Sequence, residues 1–82
     1  SLSRLTAREM EILKLIGLGL SSAEIARRLE RSVKTVEWHR VSLGDKLGVT
    51  NRVELARIAI GAGLVGVQNP KATSGESPAE EN

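Results

Sequence analysis

The sequence predicts an all-α fold of four helices, and three observations carry that prediction. Helix-start signals recur at Thr6, Ser21, Ser32 and Asn51. Each has a side-chain oxygen able to accept from one of the N–H groups that a first helical turn leaves unpaired. After each signal the apolar residues return at three- and four-residue spacing, the period of an amphipathic helix. No stretch alternates apolar and polar residues convincingly enough to be a strand.

The first helix starts at Thr6. Glu9 stands three residues on and makes a capping box, with Leu5 and Met10 placed as a hydrophobic staple. Ile12, Leu13 and Ile16 are its core stripe, and Gly17 and Gly19 end it. The second helix repeats the device, with Ser21 and Glu24 as the box and Leu20 and Ile25 as the staple. Ile25, Ala26 and Leu29 are its core residues. The third helix is expected from about Val33 to Leu47, capped by Ser32 and closed by Gly48 as its C′ residue. At 100° per residue, Val36, His39, Arg40, Leu43 and Leu47 share one side of it, and Lys34, Glu37, Trp38, Val41 and Asp45 the other. The fourth helix starts near Asn51 with Glu54 as box partner and ends before Gly63. Leu55, Ile58, Ala59 and Ala62 form its inner face. Val53, Ala56 and Ile60 form a second apolar stripe, interrupted by Arg57.

Composition bounds the rest. A chain of 82 residues makes one small domain with a modest core. It has no cysteine, which excludes disulfides and thiolate metal sites and suits a reducing cytoplasm. No apolar run approaches the roughly 20 residues of a membrane helix, and no signal peptide is visible. The net charge of +2 is unevenly placed, with +4 on residues 1–70 and −2 on residues 71–82. A basic body with an acidic tail suits a nucleic-acid binder. From Gln68 onward the chain is rich in Pro, Ser, Gly and Glu without apolar periodicity, so residues 1–66 are read as the domain and 67–82 as a disordered acidic tail.

The stretch from Ser21 to Val49 is the most specific. Its two helix starts lie eleven residues apart, leaving room for a short helix, a tight turn and a longer helix. That is a helix-turn-helix, whose second helix enters the major groove of DNA. Lys34 and Trp38 then project from the outer face of the third helix. Trp38 is the only aromatic residue of a chain without Phe or Tyr, and an aliphatic core has no need to place it outside. A base-facing role explains it, with a peripheral core or dimer contact as the alternative. Trp38 can touch a thymine methyl or a sugar, and Val41 one turn on can do the same. Glu37 either accepts from cytosine N4 or pairs within the helix with Arg40. Lys46 and Arg52 are candidate phosphate clamps. His39 is the only histidine, too few ligands for a metal site, and is read as a packed, hydrogen-bonded residue near the DNA backbone. No nucleophile–base constellation and no phosphate-cradling glycine loop is present, so neither catalysis nor a cofactor is expected.

These residues resemble the LuxR-type DNA-binding domain, the output module of many bacterial transcription regulators. The matching positions are Leu5-Thr6, Arg8-Glu9, Leu13, Gly19, Ser21, Glu24-Ile25-Ala26, Leu29, Ser32, Thr35-Val36, His39, Lys46-Leu47-Gly48-Val49, Arg52, Glu54 and Gly63-Leu64-Val65. Capping, core and turn positions agree in one register. Three residues depart from the pattern: Glu37 where the family often has Lys, Arg40 where it has an apolar residue, and Arg31 where it has an aliphatic one. Thr35-Val36-Glu37 followed by His39-Arg40 is most similar to the FixJ- and NarL-like response-regulator branch, in which a phosphorylated receiver precedes this module. No receiver lies in these residues, so an excised or truncated output domain is expected.

The resemblance implies that Ser32 and Thr35 touch phosphate, aided by the positive end of the helix dipole, and Ser22 joins the candidate DNA contacts. It also implies pairing through the fourth helix, on the stripe of Val53, Ala56, Arg57 and Ile60. The expectation is therefore a four-helix LuxR-type domain that binds double-stranded DNA as a homodimer in the cytoplasm, with RNA polymerase as a candidate second partner and no membrane association. Two rivals are a promoter-recognition region of a sigma factor, which the Gly48-Val49…Arg52 segment fits poorly, and a protein-interaction module working through its fourth helix. Glu37, Asp45 and the small net charge favour the latter.

Overall fold

The computed structural model describes residues 2–66, so the acidic tail expected over 67–82 lies outside the described residues. A short 3-10 turn over Leu2–Arg4 leads into four helices: α1 Ala7–Gly17, α2 Ser22–Leu29, α3 Val33–Leu47 and α4 Arg52–Gly61. No strand occurs among the described residues. The all-α, four-helix expectation is met, with α3 spanning the residues assigned from periodicity.

The starts of the helices follow from their caps. Thr6 Oγ1 accepts from the Glu9 N–H at 3.1 Å while Glu9 Oε1 accepts from the Thr6 N–H at 2.9 Å. Ser21 and Glu24 make the same reciprocal pair at 3.1 and 2.7 Å. Ser32 caps α3 through the Thr35 N–H at 3.1 Å. Asn51 caps α4 through the Glu54 N–H at 2.9 Å, but Glu54 sends no bond back. The box expected there is therefore half a box.

The helices assemble around α1, which packs on α3 and α4 and touches α2, while α2 leans on α3. The core comprises Ile12, Leu13, Leu15, Ile16, Ile25, Ala26, Val36, Leu43, Leu55, Ala59 and Val65. Leu5 and Leu20, each ahead of a cap, pack against it, as do Leu29 and Leu47. Leu15 and Val65 extend the core beyond the stripes read from the sequence. Ala62 leaves the inner face assigned to it. It is the exposed C-cap of α4, and the chain turns back through Gly63 at φ +78°. That turn seats Val65 over Gly17, where a Cβ would lie 2.8 Å from Val65 Cγ2 and 2.7 Å from the Ala59 Cβ. Gly17 thus ends α1 and also lets α4 approach it.

Two local features fix α3 in place. Between α2 and α3 the turn passes through Glu30 in the left-handed region, at φ 56° and ψ 47°. The Arg31 N–H closes the turn on the Ala26 carbonyl at 2.9 Å. At its far end, α3 stops at Gly48, φ +77°, and the Val49 N–H returns to the Gly44 carbonyl at 3.0 Å. A Cβ on Gly44 would stand 2.8 Å from the Val49 carbonyl oxygen. The helix can close on itself this tightly only with glycine there.

Candidate nucleic-acid interface

Val36, 1% exposed, and Leu43, fully buried, root α3 in the core. The opposite side of the helix is therefore turned to solvent. Lys34, Trp38, Val41 and Asp45 fall there within one narrow fan and are all exposed. Trp38 is 69% exposed and Val41 52%. The tryptophan is held largely in water, the exposure expected of a contact residue. Its indole meets the His39 ring edge to face, with centroids 5.2 Å apart.

The polar residues flanking that fan have partners inside the protein. Glu37 accepts from the Ser22 hydroxyl at the start of α2 and from Arg40, whose Nε lies at 2.9 Å and terminal nitrogen at 2.8 Å. The intrahelical pairing of Glu37 is thus formed, and Ser22, a candidate DNA contact, is the far end of a strut between α2 and α3. These two hydrogen bonds, Ser22 first and Arg40 second, hold the Glu37 carboxyl below its ordinary range against the opposing cost of burial, and the Arg40 and Arg52 charges add to the effect. The carboxylate stays ionised, so the strut is intact at neutral pH.

Lys46, a candidate phosphate clamp, is also engaged within the protein. Its ammonium donates to Glu9 Oε1 at 2.7 Å, and Ser42 donates to the other oxygen at 2.7 Å. Glu9 is 3% exposed. The Lys46 hydrogen bond, the Thr6 N–H and the Ser42 hydroxyl together pull its pKa from 4.5 to about 2, although burial works the other way. Sequence spacing shows Glu9 as a capping residue and gives no sign of this second duty, because its partners lie 33 and 37 residues away.

Ser32 and Thr35 sit at the positive end of α3, with their hydroxyls 3.0 Å apart. Arg52, at the head of α4, is half-buried, and one terminal guanidinium nitrogen is enclosed without a partner. Its charge acts on both Glu24 and Glu37. His39 is half-buried and its Nδ1 has no hydrogen-bond partner. The ring packs edge to face on the Trp38 indole. No group of metal-binding side chains exists among the described residues. On α4, Val53 and Ile60 are 62% and 42% exposed. They share a face with half-buried Ala56 and exposed Arg57, while Leu55 and Ala59 hold the helix to the core. No described helix is long and apolar enough to cross a membrane.

Residues 3–59 match the family model described as bacterial regulatory proteins, luxR family. Similar curated proteins include the response regulatory protein YgeK of Escherichia coli, 45% identical over 62 residues, 76% of this chain and 42% of that protein. The transcriptional regulatory protein UhpA of Escherichia coli is 49% identical over 53 residues, covering 65% of this chain and 27% of its own length. The oxygen regulatory protein NreC of Staphylococcus aureus is 46% identical over 56 residues, 68% of this chain and 26% of its own length. The chain thus spans less than half the length of these relatives. It belongs to the luxR family of bacterial regulatory proteins, and its fold is the helix-turn-helix DNA-binding domain of that family.

Proposed function

We propose that this chain binds double-stranded DNA sequence-specifically as the output domain of a bacterial transcription regulator of the two-component response-regulator type, acting by binding and not by catalysis. The observation that carries the reading is the exposed fan of Lys34, Trp38 and Val41 on a helix whose other side is rooted in the core. Laid in a major groove, that fan meets base edges. Ser32, Thr35 and Arg52 reach phosphate from helix starts, where backbone N–H groups and the helix dipole favour anions. The names of the similar proteins, among them a response regulatory protein and a transcriptional regulatory protein, support the same reading. DNA as partner places the working domain in the cytoplasm.

On DNA, two copies pair through α4. Val53 and Ile60 are large apolar side chains left in solvent on one face, and pairing them across a two-fold sets two copies of α3 in successive major grooves, about 34–36 Å apart. The patch is small, so pairing needs DNA to concentrate the two copies. RNA polymerase is the second partner proposed.

A salt titration on random-sequence duplex tests the reading. Binding should weaken steeply with salt, by about 0.9 in log–log slope for each phosphate neutralised. A flat titration with no binding to any duplex would replace it with a protein-interaction module. Val53→Glu with Ile60→Glu should leave half-site binding in place and abolish cooperativity on the full site. Unchanged cooperativity would remove α4 as the pairing surface.

A further inference from the structure

We infer that α3 recognises its site chiefly through the C5-methyl group of thymine, with Trp38 and Val41 as the specificity-determining residues. The inference rests on the DNA-binding reading above and names what that surface reads.

The basis is what the polar side chains along this helix are doing. Between Lys34 and Asp45, the polar side chains beside the fan are paired within the protein, Thr35 with Ser32 among them. Glu37 accepts from Ser22 on one oxygen and from Arg40 on the other, which fixes its carboxylate towards α2 and its own helix. Arg40 is spent on Glu37. Ser42 donates to Glu9. His39 lies half-buried against the indole. An indole and an isopropyl group are left in the centre of the fan, 69% and 52% exposed. The indole N–H is a donor only, and major-groove acceptors occur on adenine, guanine and thymine alike, so it separates base pairs poorly. The one apolar feature in that groove is the thymine methyl. Two adjacent apolar side chains one turn apart therefore discriminate by burying methyl groups. Lys34 remains free at the head of the fan for a guanine or a phosphate.

The same chemistry has a consequence. The methyl of 5-methylcytosine occupies the position of the thymine methyl in the groove. A reader of this kind treats a methylated C·G pair as a near-substitute for T·A, which a hydrogen-bonding reader would not.

The test starts from the full 82-residue chain and a random-sequence duplex library, from which the tightest-bound duplex is selected. In that duplex each thymine is replaced singly by deoxyuridine, which removes only the methyl. At one or more A·T pairs the affinity should fall about 3- to 10-fold, the worth of one buried methyl contact. Placing C·G at such a pair should lower it at least as much, and 5-methylcytosine there should recover most of the loss. Val41→Ala and Trp38→Ala should each shrink the thymine-to-uracil difference at one pair. If the selected duplex binds tightly and no thymine-to-uracil change matters, the methyl inference is overturned while the DNA-binding reading stands. If no duplex is enriched and binding shows no salt dependence, both fall.

Discussion

Along α3, the outward side chains Lys34, Trp38 and Val41 have no hydrogen-bond partner within the protein, whereas Ser42 and Lys46 towards its end are bound to α1. Lys34, Trp38 and Val41 face water. Ser42 and Lys46 converge on Glu9, Leu43 is fully buried, and Gly44 is packed against the Val49 carbonyl. One helix thus carries a surface kept available to a partner and an anchor that fixes where that surface points. The two halves need opposite chemistry. An anchor works by burial and satisfied polar groups, and a contact surface works by leaving both undone. The Ser22–Glu37–Arg40 strut extends the anchoring from α2 to the edge of the fan. It settles the roll of the helix just where the exposed fan begins.

The comparison is broken most severely at the anchor's apolar root. Leu43→Ala should destabilise the domain by about 3 kcal/mol, since a fully buried leucine leaves a cavity among Leu13, Val36 and their neighbours. Chemical denaturation reads the loss. Leu47, half-buried, should cost less on the same truncation. At low temperature, where the variant remains folded, DNA affinity should change little. A large loss of affinity in a fully folded Leu43→Ala would show that anchor and surface are not separable.

Acid acts next, on the anchor's polar half. Glu9 is ionised in the folded state down to about pH 2, whereas its unfolded carboxyl protonates near 4.5. Its contribution is therefore fully present above about pH 4.5 and is lost as pH falls towards 2. That gap corresponds to a ceiling of about 3 kcal/mol, and about 2 kcal/mol is expected because Lys46, 29% exposed, leaves the pair open to water on one side. Glu9→Gln should flatten the thermal midpoint across this window relative to the native chain. A midpoint with the same acid dependence in both would assign the effect to other carboxylates.

How much of this was legible in the sequence differs between the halves. Caps were legible, because a capping box is written in four consecutive residues. The fan was legible, because helical period and the placement of the only aromatic residue need no partner to be read. Anchoring was not, because Glu9 and Lys46 meet across 37 positions and each had a sufficient local explanation, one as a cap and the other as a candidate phosphate clamp. Gly44 did carry a signal. A glycine inside a helix costs about 1 kcal/mol relative to alanine, and that cost marks a close backbone approach, here Val49. Ser22 gave no sign of its bond to Glu37, since a serine in a first turn is unremarkable in sequence. The half-formed box at Asn51 shows the opposite failure, a correct local motif of which only one bond forms.

On the available half, Trp38→Ala and Lys34→Ala should each cost about 1–3 kcal/mol of specific DNA binding and leave stability within about 0.5 kcal/mol, as for exposed sites. Trp38 is the only tryptophan, so its emission reports the surface directly. It should be red-shifted in the free chain and should change when duplex is added. A blue-shifted, duplex-insensitive emission would place the indole in a packed environment and remove it from the contact surface.

The smallest effect is expected where the two halves of the helix-turn-helix are joined. Glu30 occupies the left-handed region at φ 56°, a conformation that costs a residue with a Cβ roughly 1–2 kcal/mol. Glycine adopts it freely, but loses more backbone entropy on folding. Glu30→Gly should therefore stabilise the domain by a net of about 0.5–1 kcal/mol, raising the thermal midpoint a few degrees. Its side chain is exposed, and no hydrogen bond or ion pair of it is formed, so nothing offsets the relief. Glu30→Ala separates the causes. It removes the charge and keeps the Cβ, so it should leave stability nearly unchanged if backbone strain is the whole effect. If alanine stabilises as much as glycine, the gain comes from losing a negative charge beside the helix that enters DNA, and it should then appear in DNA affinity as well as in stability.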